Sequence, residues 1–325
     1  MADSVKAAGV NALVALTDIH AARAVIGGRL HRTPMAPSTW IGEQVGARVT
    51  LKLELFQRTG SFKPRGVLNK LSSLTSNERS RGVISLSAGN HAQAVAWGAS
   101  AMGIRSTIVM PAAAVRTKVD ATRGYGGEVV QTDGDLLAAT HELQRERDLV
   151  LVHPFDDPLI IAGAGTVGLE IGEDVADVDA VVVGCGGGGL ISGIAAAIRR
   201  LNPSVRVIGV EPTGANAMTR SLVQGEPVHL SSTSTIADGL AAPFAGAHTL
   251  AHVRSLVERI VEVSDAEIVA GMRALMERCK ILPEPAGAAA TAALLCGRVD
   301  VRRGEHIVVV VTGGNVDLDR LKQML

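Results

Sequence analysis

The sequence predicts an α/β fold in which mostly parallel sheets are flanked by helices. Short runs rich in valine and isoleucine, such as DAVVVG and HIVVVV, alternate with longer alanine- and leucine-rich segments of helical period. The short runs are continuously apolar rather than alternating, which is typical of strands buried on both faces. Parallel strands wrapped by helices account for both patterns.

The predicted elements follow one another along most of the chain. Strands are predicted at VTLKLE, GVISL, RSTIVM, GEVVQT, LVLVHP, DAVVVG, VRVIGVEP and HIVVVV. Each of the first four is followed by a predicted helix, over residues 61–74, 90–102, 114–124 and 135–147. No fixed-period repeat or flexible linker marks a domain boundary.

Composition excludes several classes of partner. The 325 residues contain 32 lysines and arginines against 32 aspartates and glutamates, and aromatic residues make up 2% of the chain. A neutral, aromatic-poor protein has neither the charge nor the stacking surfaces of a nucleic-acid binder. The apolar stretches are too short for membrane spans, and the amino terminus lacks signal-peptide features. We therefore expect a cytoplasmic protein with a small-molecule ligand, binding neither nucleic acid nor membrane.

A glycine-rich loop is the first candidate site. The strand DAVVVG is followed by Gly186, Gly187, Gly188 and Gly189, and then by a helix. Bare backbone amides at a helix amino terminus bind phosphate, so a phosphorylated ligand is predicted here. The same glycines spell G-x-G-x-x-G, and Glu211 ends the next strand where a ribose-binding acid would lie. A nicotinamide site is therefore an alternative prediction.

Three further polar stretches follow predicted strands or begin predicted helices. Thr312 follows HIVVVV, and the stretch 87–91 leads from GVISL into a helix, where Ser87 or Asn90 is a possible N-cap. Ser61 is the predicted N-cap of another helix, which places Lys63 in its first turn, where the helix dipole disfavours an ammonium. A dinucleotide explains only the glycine loop. Pyridoxal phosphate, with a phosphate, an aldehyde and a ring nitrogen, would use all four stretches.

Several motifs also resemble a known family. The chain resembles the fold-type II pyridoxal-phosphate enzymes, which have the two-domain tryptophan synthase β-like fold, and within them the serine/threonine dehydratase and serine racemase group. The motifs that carry this resemblance lie in the expected order: GSFKPRG, SAGNHAQ, HPFDDPLIIAGAGTVGLE, GCGGGGLISG, TIADGLA, EPAGA and VTGGNVDL.

The resemblance implies specific roles. Lys63 would form the internal Schiff base with pyridoxal 5'-phosphate and act as the catalytic base. The other implied cofactor contacts are Phe62, Asn90, Gly186, Gly187, Gly188, Gly189, Thr312 and, less directly, Glu284, which has an equally good explanation as a helix cap. The implied substrate contacts are Ser87, Ala88, Asn90 and His91.

The resemblance also implies an organisation and an activity. A large cofactor-binding domain would comprise residues 1–67 and 155–325, and a small substrate-closing domain residues 68–154, in a homodimer or tetramer. The implied reaction is β-elimination, by which L-threonine, L-serine or a related β-hydroxy amino acid gives a 2-oxo acid and ammonia.

Departures from the family pattern bear on activity and metal binding. Racemases carry a serine at the position of Ala88, so dehydration is favoured over racemisation. The divalent-metal site of some relatives matches Glu211 and Ala215, but its further acid is replaced by Ala217. No metal is therefore predicted.

Four alternative functions follow from these observations. Within the family they are an amino-acid racemase and a 3-hydroxyaspartate-type dehydratase. Outside it they are a nicotinamide-dependent oxidoreductase and a non-catalytic amino-acid sensor.

Overall fold

The computed structural model describes residues 12–325. The signal-peptide prediction falls partly on residues 1–11, which lie outside the described residues. The helices are α1 (Leu16–Ile26), α2 (Thr39–Val45), α3 (Pro64–Ser72), α4 (Ser76–Arg81), α5 (Asn90–Ala101), α6 (Arg116–Gly124), α7 (Leu136–Glu146), α8 (Pro158–Asp174), α9 (Gly189–Leu201), α10 (Ala217–Gln224), α11 (Ala247–Leu256), α12 (Asp265–Cys279), α13 (Pro285–Leu295) and α14 (Leu318–Met324). Among the described helices, none is long and apolar enough to cross a membrane.

The strands agree closely with the predicted ones. They are β1 (Met35–Pro37), β2 (Arg48–Leu53), β3 (Val83–Leu86), β4 (Ser106–Pro111), β5 (Glu128–Thr132), β6 (Val150–Leu151), β7 (Ala180–Gly184), β8 (Arg206–Pro212), β9 (Arg259–Val263) and β10 (His306–Val311). Each of the eight predicted strands is present, although β6 is shorter than LVLVHP. The short strands β1 and β9 were not predicted.

Six strands form the larger sheet, in the order β1, β2, β10, β7, β8, β9. Only the edge strand β1 is antiparallel to its neighbour. The central strand β10 pairs Ile307 with Val49 on one side and with Ala180 on the other. Apolar clusters cover both faces of this sheet, which explains the continuous valine runs. The predicted α/β class with mostly parallel sheets is confirmed.

Four strands form a second, parallel sheet in the order β5, β4, β3, β6. All four lie between residues 83 and 151, inside the range predicted for the smaller domain. One apolar cluster joins residues of α3 and α5 to this sheet. The domain boundaries at residues 68 and 154 stay a prediction.

The helix after Ser61 begins later than predicted. Ser61 is not its N-cap: it forms an isolated antiparallel bridge with Gly313, while Lys63 occupies the N-cap position of α3. Pro64 is the first helical residue, a position where the missing N–H costs nothing. Ser61 lies outside the helix because it pairs with Gly313 in the segment after β10. Local sequence does not encode this long-range contact.

A buried group of charges joins α3 to α8 and to the segment that follows β2. The Arg65 guanidinium donates to both carboxylate oxygens of Glu54 and both of Glu170, over 2.7–2.9 Å. Lys52 donates to Glu170 over 2.6 Å. The four side chains are at most 11% exposed, and two cations balance two anions. Such pairing is what permits charges to be buried.

Candidate active site

Loops from both sheets line one cavity of about 710 Å³. It lies where the connections that follow β2, β3, β7 and β10 meet, at the carboxyl edges of parallel strands. The cavity brings together every residue for which the resemblance implied a cofactor or substrate contact: Phe62, Lys63, Ser87, Ala88, Asn90, His91, Gly186, Gly187, Gly188, Gly189, Glu284 and Thr312.

Lys63 presents a primary amine to this cavity. Its Nζ donates to the carbonyl oxygen of Pro154 over 2.9 Å and lies 5.1 Å from the centre of the Phe62 ring. Burial lowers the pKa of Lys63 to about 8, and the charge of Glu284 opposes this shift. Desolvation is thus the main cause of the lowered pKa. An amine with this pKa has a substantial neutral, nucleophilic fraction near neutral pH.

Asn90 is held between two partners from the other side of the cavity. Its Nδ2 donates to Oε1 of Glu284 over 2.6 Å, and its Oδ1 accepts from Nδ2 of Asn315 over 2.8 Å. Glu284 occupies the N-cap position of α13 but makes no side-chain cap bond. The capping explanation for this glutamate is therefore wrong. Burial raises the pKa of Glu284 to about 7, although the Asn90 hydrogen bond acts in the opposite direction.

The loop after β3 leads into α5 without a side-chain cap. The N-cap position is Gly89, so neither Ser87 nor Asn90 caps the helix. Ser87 Oγ instead accepts from the amide of Gly89 over 3.1 Å. The first-turn amides of α5 consequently have no side-chain cap partner, and a helix amino terminus of this kind favours an anionic group.

The glycine loop forms a close-packed cradle. Gly188 has φ +91° and is the N-cap of the 13-residue helix α9, with no side-chain cap. An added Cβ at Gly187 would overlap the ring of Phe155, and one at Gly188 would lie 2.6 Å from Met218. Only glycine fits at these two positions. Backbone amides at the positive end of α9 are thereby presented without side chains, which is the arrangement that binds a phosphate.

Thr312 brings a neutral hydroxyl to the wall of the cavity. It follows the last residue of β10, is 5% exposed, and its Oγ1 lies 3.4 Å from the carbonyl oxygen of Ala286. The amide of Phe62 donates to the carbonyl of Thr312, which ties the chain beside Lys63 to the end of β10.

Glu211 and Ala215 do not line the cavity. Glu211 is fully buried and accepts from the amides of Met218 and Thr219, over 2.9 and 2.8 Å, and from the Thr219 hydroxyl over 2.7 Å. These contacts cap α10, and burial raises the pKa of Glu211 to about 7. Its carboxylate is therefore not free to bind a ribose, which removes the structural basis for a nicotinamide site. No group of three or more potential side-chain metal ligands occurs within residues 12–325.

Three polar or aromatic residues of the cavity wall, His153, Phe155 and Asn315, were not predicted as site residues. His153 and Phe155 line it, although His153 and the following Asp156–Asp157 pair were interpreted only as a structured turn. That turn is present: His153 Nδ1 accepts from the Asp156 amide, and Asp157 caps α8. Asn315 reaches the cavity because the chain after β10 folds towards Asn90. The motif HPFDDP is the sequence signal that could have indicated His153 and Phe155.

Comparison with known proteins decides the family. A model of the family described as "Pyridoxal-phosphate dependent enzyme" matches residues 27–313. The chain belongs to this family. It is 45% identical over 315 residues to the catabolic L-threonine dehydratase of Escherichia coli K12, covering 96% of each chain. It is 41% identical over 317 residues to the L-threonine ammonia-lyase of Thermotoga maritima, covering 96% of this chain and 78% of the relative.

Solved structures agree with this assignment. Maize serine racemase superposes with a TM-score of 0.92 at 39% identity, covering 96% of this chain and 97% of the other. Threonine deaminase isoform 2 of tomato (Solanum lycopersicum) superposes with a TM-score of 0.89 at 36% identity, covering 95% of this chain and 86% of the other. The predicted fold-type II class and the predicted cofactor are therefore confirmed. This pyridoxal-phosphate-dependent enzyme also has a cavity that suits its cofactor, with a desolvated amine and a side-chain-free phosphate cradle.

Proposed function

We propose that this enzyme is an ammonia-lyase that converts L-threonine or L-serine to a 2-oxo acid and ammonia by β-elimination. The observation that carries the proposal is the position of Lys63, a buried amine with a lowered pKa in the same cavity as the glycine cradle and Thr312. The 45% identity to a catabolic L-threonine dehydratase supports the same reaction class.

Each implied cofactor contact has a distinct task in this proposal. Gly186, Gly187, Gly188 and Gly189 would bind the phosphate, and Lys63 would hold the cofactor covalently. Phe62 would contact the ring, Asn90 would donate to the phenolic oxygen, and Thr312 would be the partner of the ring nitrogen. When bound, pyridoxal phosphate condenses with an amino group and delocalises the electron pair left at the α-carbon.

Lys63 would move the α-proton in this proposal. Its neutral Nζ would be the base that takes the proton from the substrate α-carbon. The carbonyl of Pro154, 2.9 Å from Nζ, is placed to accept from the ammonium that results. Glu284 holds Asn90 in position through the 2.6 Å hydrogen bond, so the Asn90 amide is fixed before the cofactor binds.

The substrate carboxylate lies at the amino terminus of α5. Ser87, Ala88, Asn90 and His91 surround this helix start, where free amides and the helix dipole favour an anion. The smaller domain, residues 68–154, closes over the bound substrate in this proposal. Lys118 of α6 donates to Asp238 over 2.8 Å, and both residues line the cavity, which supports closure along this side.

The charges of the cavity favour a substrate with one carboxylate. Apart from Lys63, the lysine and arginine side chains in its described lining are Lys118 and Arg320, and both pair with Asp238. A second carboxylate, as in a 3-hydroxyaspartate, would have to compete with Asp238 for either cation. Aliphatic side chains such as Leu86 and Val115 form other parts of the wall and suit the methyl group of threonine.

Amino-acid racemisation is the second candidate, favoured by the likeness to maize serine racemase. A racemase needs an acid on the second face of the substrate, and Ala88 supplies none. Racemisation therefore ranks below elimination in this proposal.

We also propose that the enzyme is a cytoplasmic homodimer or tetramer. Cys185, Cys279 and Cys296 are free thiols, which accords with a reducing compartment. Light scattering coupled to size-exclusion chromatography measures the assembly directly, and a monomeric mass at micromolar concentration would contradict it.

A substrate panel tests the proposed activity. Purified enzyme with pyridoxal phosphate should release equal amounts of oxo acid and ammonia from L-threonine or L-serine, and Lys63→Ala should release neither. If the substrate were racemised and no oxo acid were released, the enzyme would be a racemase rather than a lyase. Preferential turnover of 3-hydroxyaspartate would contradict the proposed substrate class, and binding without any turnover would contradict catalysis altogether.

A further inference from the structure

His91 presents a buried hydrogen-bond acceptor without a partner. The residue is 2% exposed, and its Nε2 lies 3.2 Å from the carbonyl oxygen of Val152. Because a carbonyl can only accept, Nε2 carries the ring hydrogen and Nδ1 is an unprotonated acceptor. No residue of the described chain donates to Nδ1. Leaving such an atom unpaired is costly, so the site is built for a donor that the protein does not supply.

His153 presents the complementary donor. Its Nδ1 accepts from the backbone amides of Asp156 and Phe155, at 2.8 and 3.3 Å. Because an amide only donates, Nδ1 is the acceptor and the hydrogen of the neutral ring is on Nε2. Both amide contacts are made to Nδ1, so Nε2 takes part in neither of them. Burial lowers the pKa values of both histidines, which favours the neutral rings.

The two rings belong to the same part of the cavity wall. His91 is bonded to the carbonyl of Val152, the residue directly before His153, and both histidines line the cavity with Lys63. Besides burial, the charge of Lys63 contributes to the lowered pKa of each histidine, so both rings lie near this amine. One ring therefore offers a bare acceptor and its neighbour offers an N–H donor.

We propose that His91 Nδ1 and His153 Nε2–H together bind the β-hydroxyl group of the substrate. This inference rests on the proposed function and names the feature of the substrate that the site selects. A substrate carboxylate can only accept, and its ammonium can only donate, whereas a hydroxyl does both. The ring of His91 thus binds the hydroxyl. The substrate carboxylate still binds the backbone amides at the start of α5. His153 is a specificity residue that sequence reasoning missed.

Two conservative variants separate this role from a structural one. His91→Gln keeps a donor at the end of the side chain for Val152 but lacks the acceptor at the δ position. His153→Asn keeps an acceptor for the turn amides but lacks the ring N–H. The matched control is His20→Asn, because His20 is exposed and lies outside the cavity lining.

The substrates to compare are L-serine and β-chloro-L-alanine. Both yield pyruvate and ammonia, but chloride leaves the second without any hydroxyl having been bound. Each variant should lower kcat/KM for L-serine about tenfold, as expected for one lost hydrogen bond in a desolvated site. Its kcat/KM for β-chloro-L-alanine should change less than threefold. Equal losses on both substrates, or no loss on either, would overturn the proposal.

A spectroscopic measurement tests the ring states without turnover. In protein labelled with ¹⁵N-histidine, two-bond ¹H–¹⁵N correlation spectra should show both residues with hydrogen on Nε2 alone. A hydrogen on Nδ1 of either ring would overturn the assignment. A wild-type enzyme that releases no pyruvate from either substrate, yet shows these tautomers, would overturn the proposed function and, with it, the hydroxyl site.

Discussion

Asn90 Nδ2 lies 2.6 Å from Glu284 Oε1, which joins the start of α5 to the start of α13. Asn315 fixes the other end of the Asn90 amide over 2.8 Å. One buried carboxylate thus couples a helix packed on the four-stranded sheet to a helix packed on the six-stranded sheet. Since burial raises the pKa of Glu284 to about 7, the charge at this junction changes within the physiological range.

Replacing Glu284 by glutamine should change how stability depends on pH. The folded-state pKa lies above the ordinary value of 4.5, so the stability contributed by Glu284 is complete below pH 4.5 and is lost as pH rises through 7. Between pH 5 and 8, Glu284→Gln should therefore gain roughly 2–3 kcal/mol in unfolding free energy relative to wild type. Urea denaturation of the cofactor-free protein measures this gain. A difference that stays constant with pH, like that expected for the exposed control Glu277→Gln, would contradict it.

Cofactor capture should depend on the protonation of Lys63. Because burial lowers the pKa of this amine to about 8, the rate of covalent attachment to cofactor-free protein should rise with pH and level off above about 8 rather than above 10. Absorbance changes after mixing with pyridoxal phosphate give the rate. Borohydride reduction followed by peptide mass spectrometry should locate the label on Lys63, and Lys322→Ala should behave as wild type. A label on another lysine would disprove the assignment.

The Gly187→Ala substitution should weaken cofactor binding about tenfold or more, because the new methyl group overlaps Phe155. Equilibrium titration with pyridoxal phosphate measures the loss. Gly124→Ala is the matched control, since nothing lies within 4 Å of the added carbon at that helix end. Unchanged affinity in Gly187→Ala would show that this part of the loop is not the phosphate cradle.

Breaking the buried charge group should destabilise the fold. Arg65→Met leaves Glu54 and Glu170 buried without their main cation, which should cost about 3–5 kcal/mol of unfolding free energy. Arg23→Met removes a half-exposed partner of Glu173 and should cost about 1 kcal/mol or less. Chemical denaturation compares the two. Similar losses in both variants would mean that the buried group does not stabilise α3 as argued.

Thr312 should favour elimination because a neutral hydroxyl does not hold the cofactor ring nitrogen protonated. Thr312→Asp should lower the ratio of elimination to transamination, since a carboxylate stabilises the protonated ring and prolongs carbanion chemistry. Chromatographic analysis of oxo acid and of aminated cofactor gives the ratio. Thr312→Ser retains the hydroxyl and should retain the wild-type ratio. An unchanged ratio in Thr312→Asp would refute the argument.

The sequence by itself determined the fold class and the motifs that supply the cofactor and substrate contacts of the cavity. Valine-rich strands and helical periods are local patterns, so they predicted the eight main strands and the helices after the first four. The glycine loop was also predictable, because close packing at Gly187 and the positive φ of Gly188 require residues without side chains. Parallel strands then bring their carboxyl ends together, which collected these loops into one site.

Only the tertiary structure decided what each polar side chain contacts. Ser61 pairs with Gly313 rather than capping α3, and Glu284 bonds Asn90 rather than capping α13. Glu211, which the sequence offered for a ribose or a metal, caps α10 instead. Side chains at strand ends and helix starts can satisfy their hydrogen bonds locally or across the fold. The choice depends on burial and on partners distant in the sequence, which local patterns do not contain.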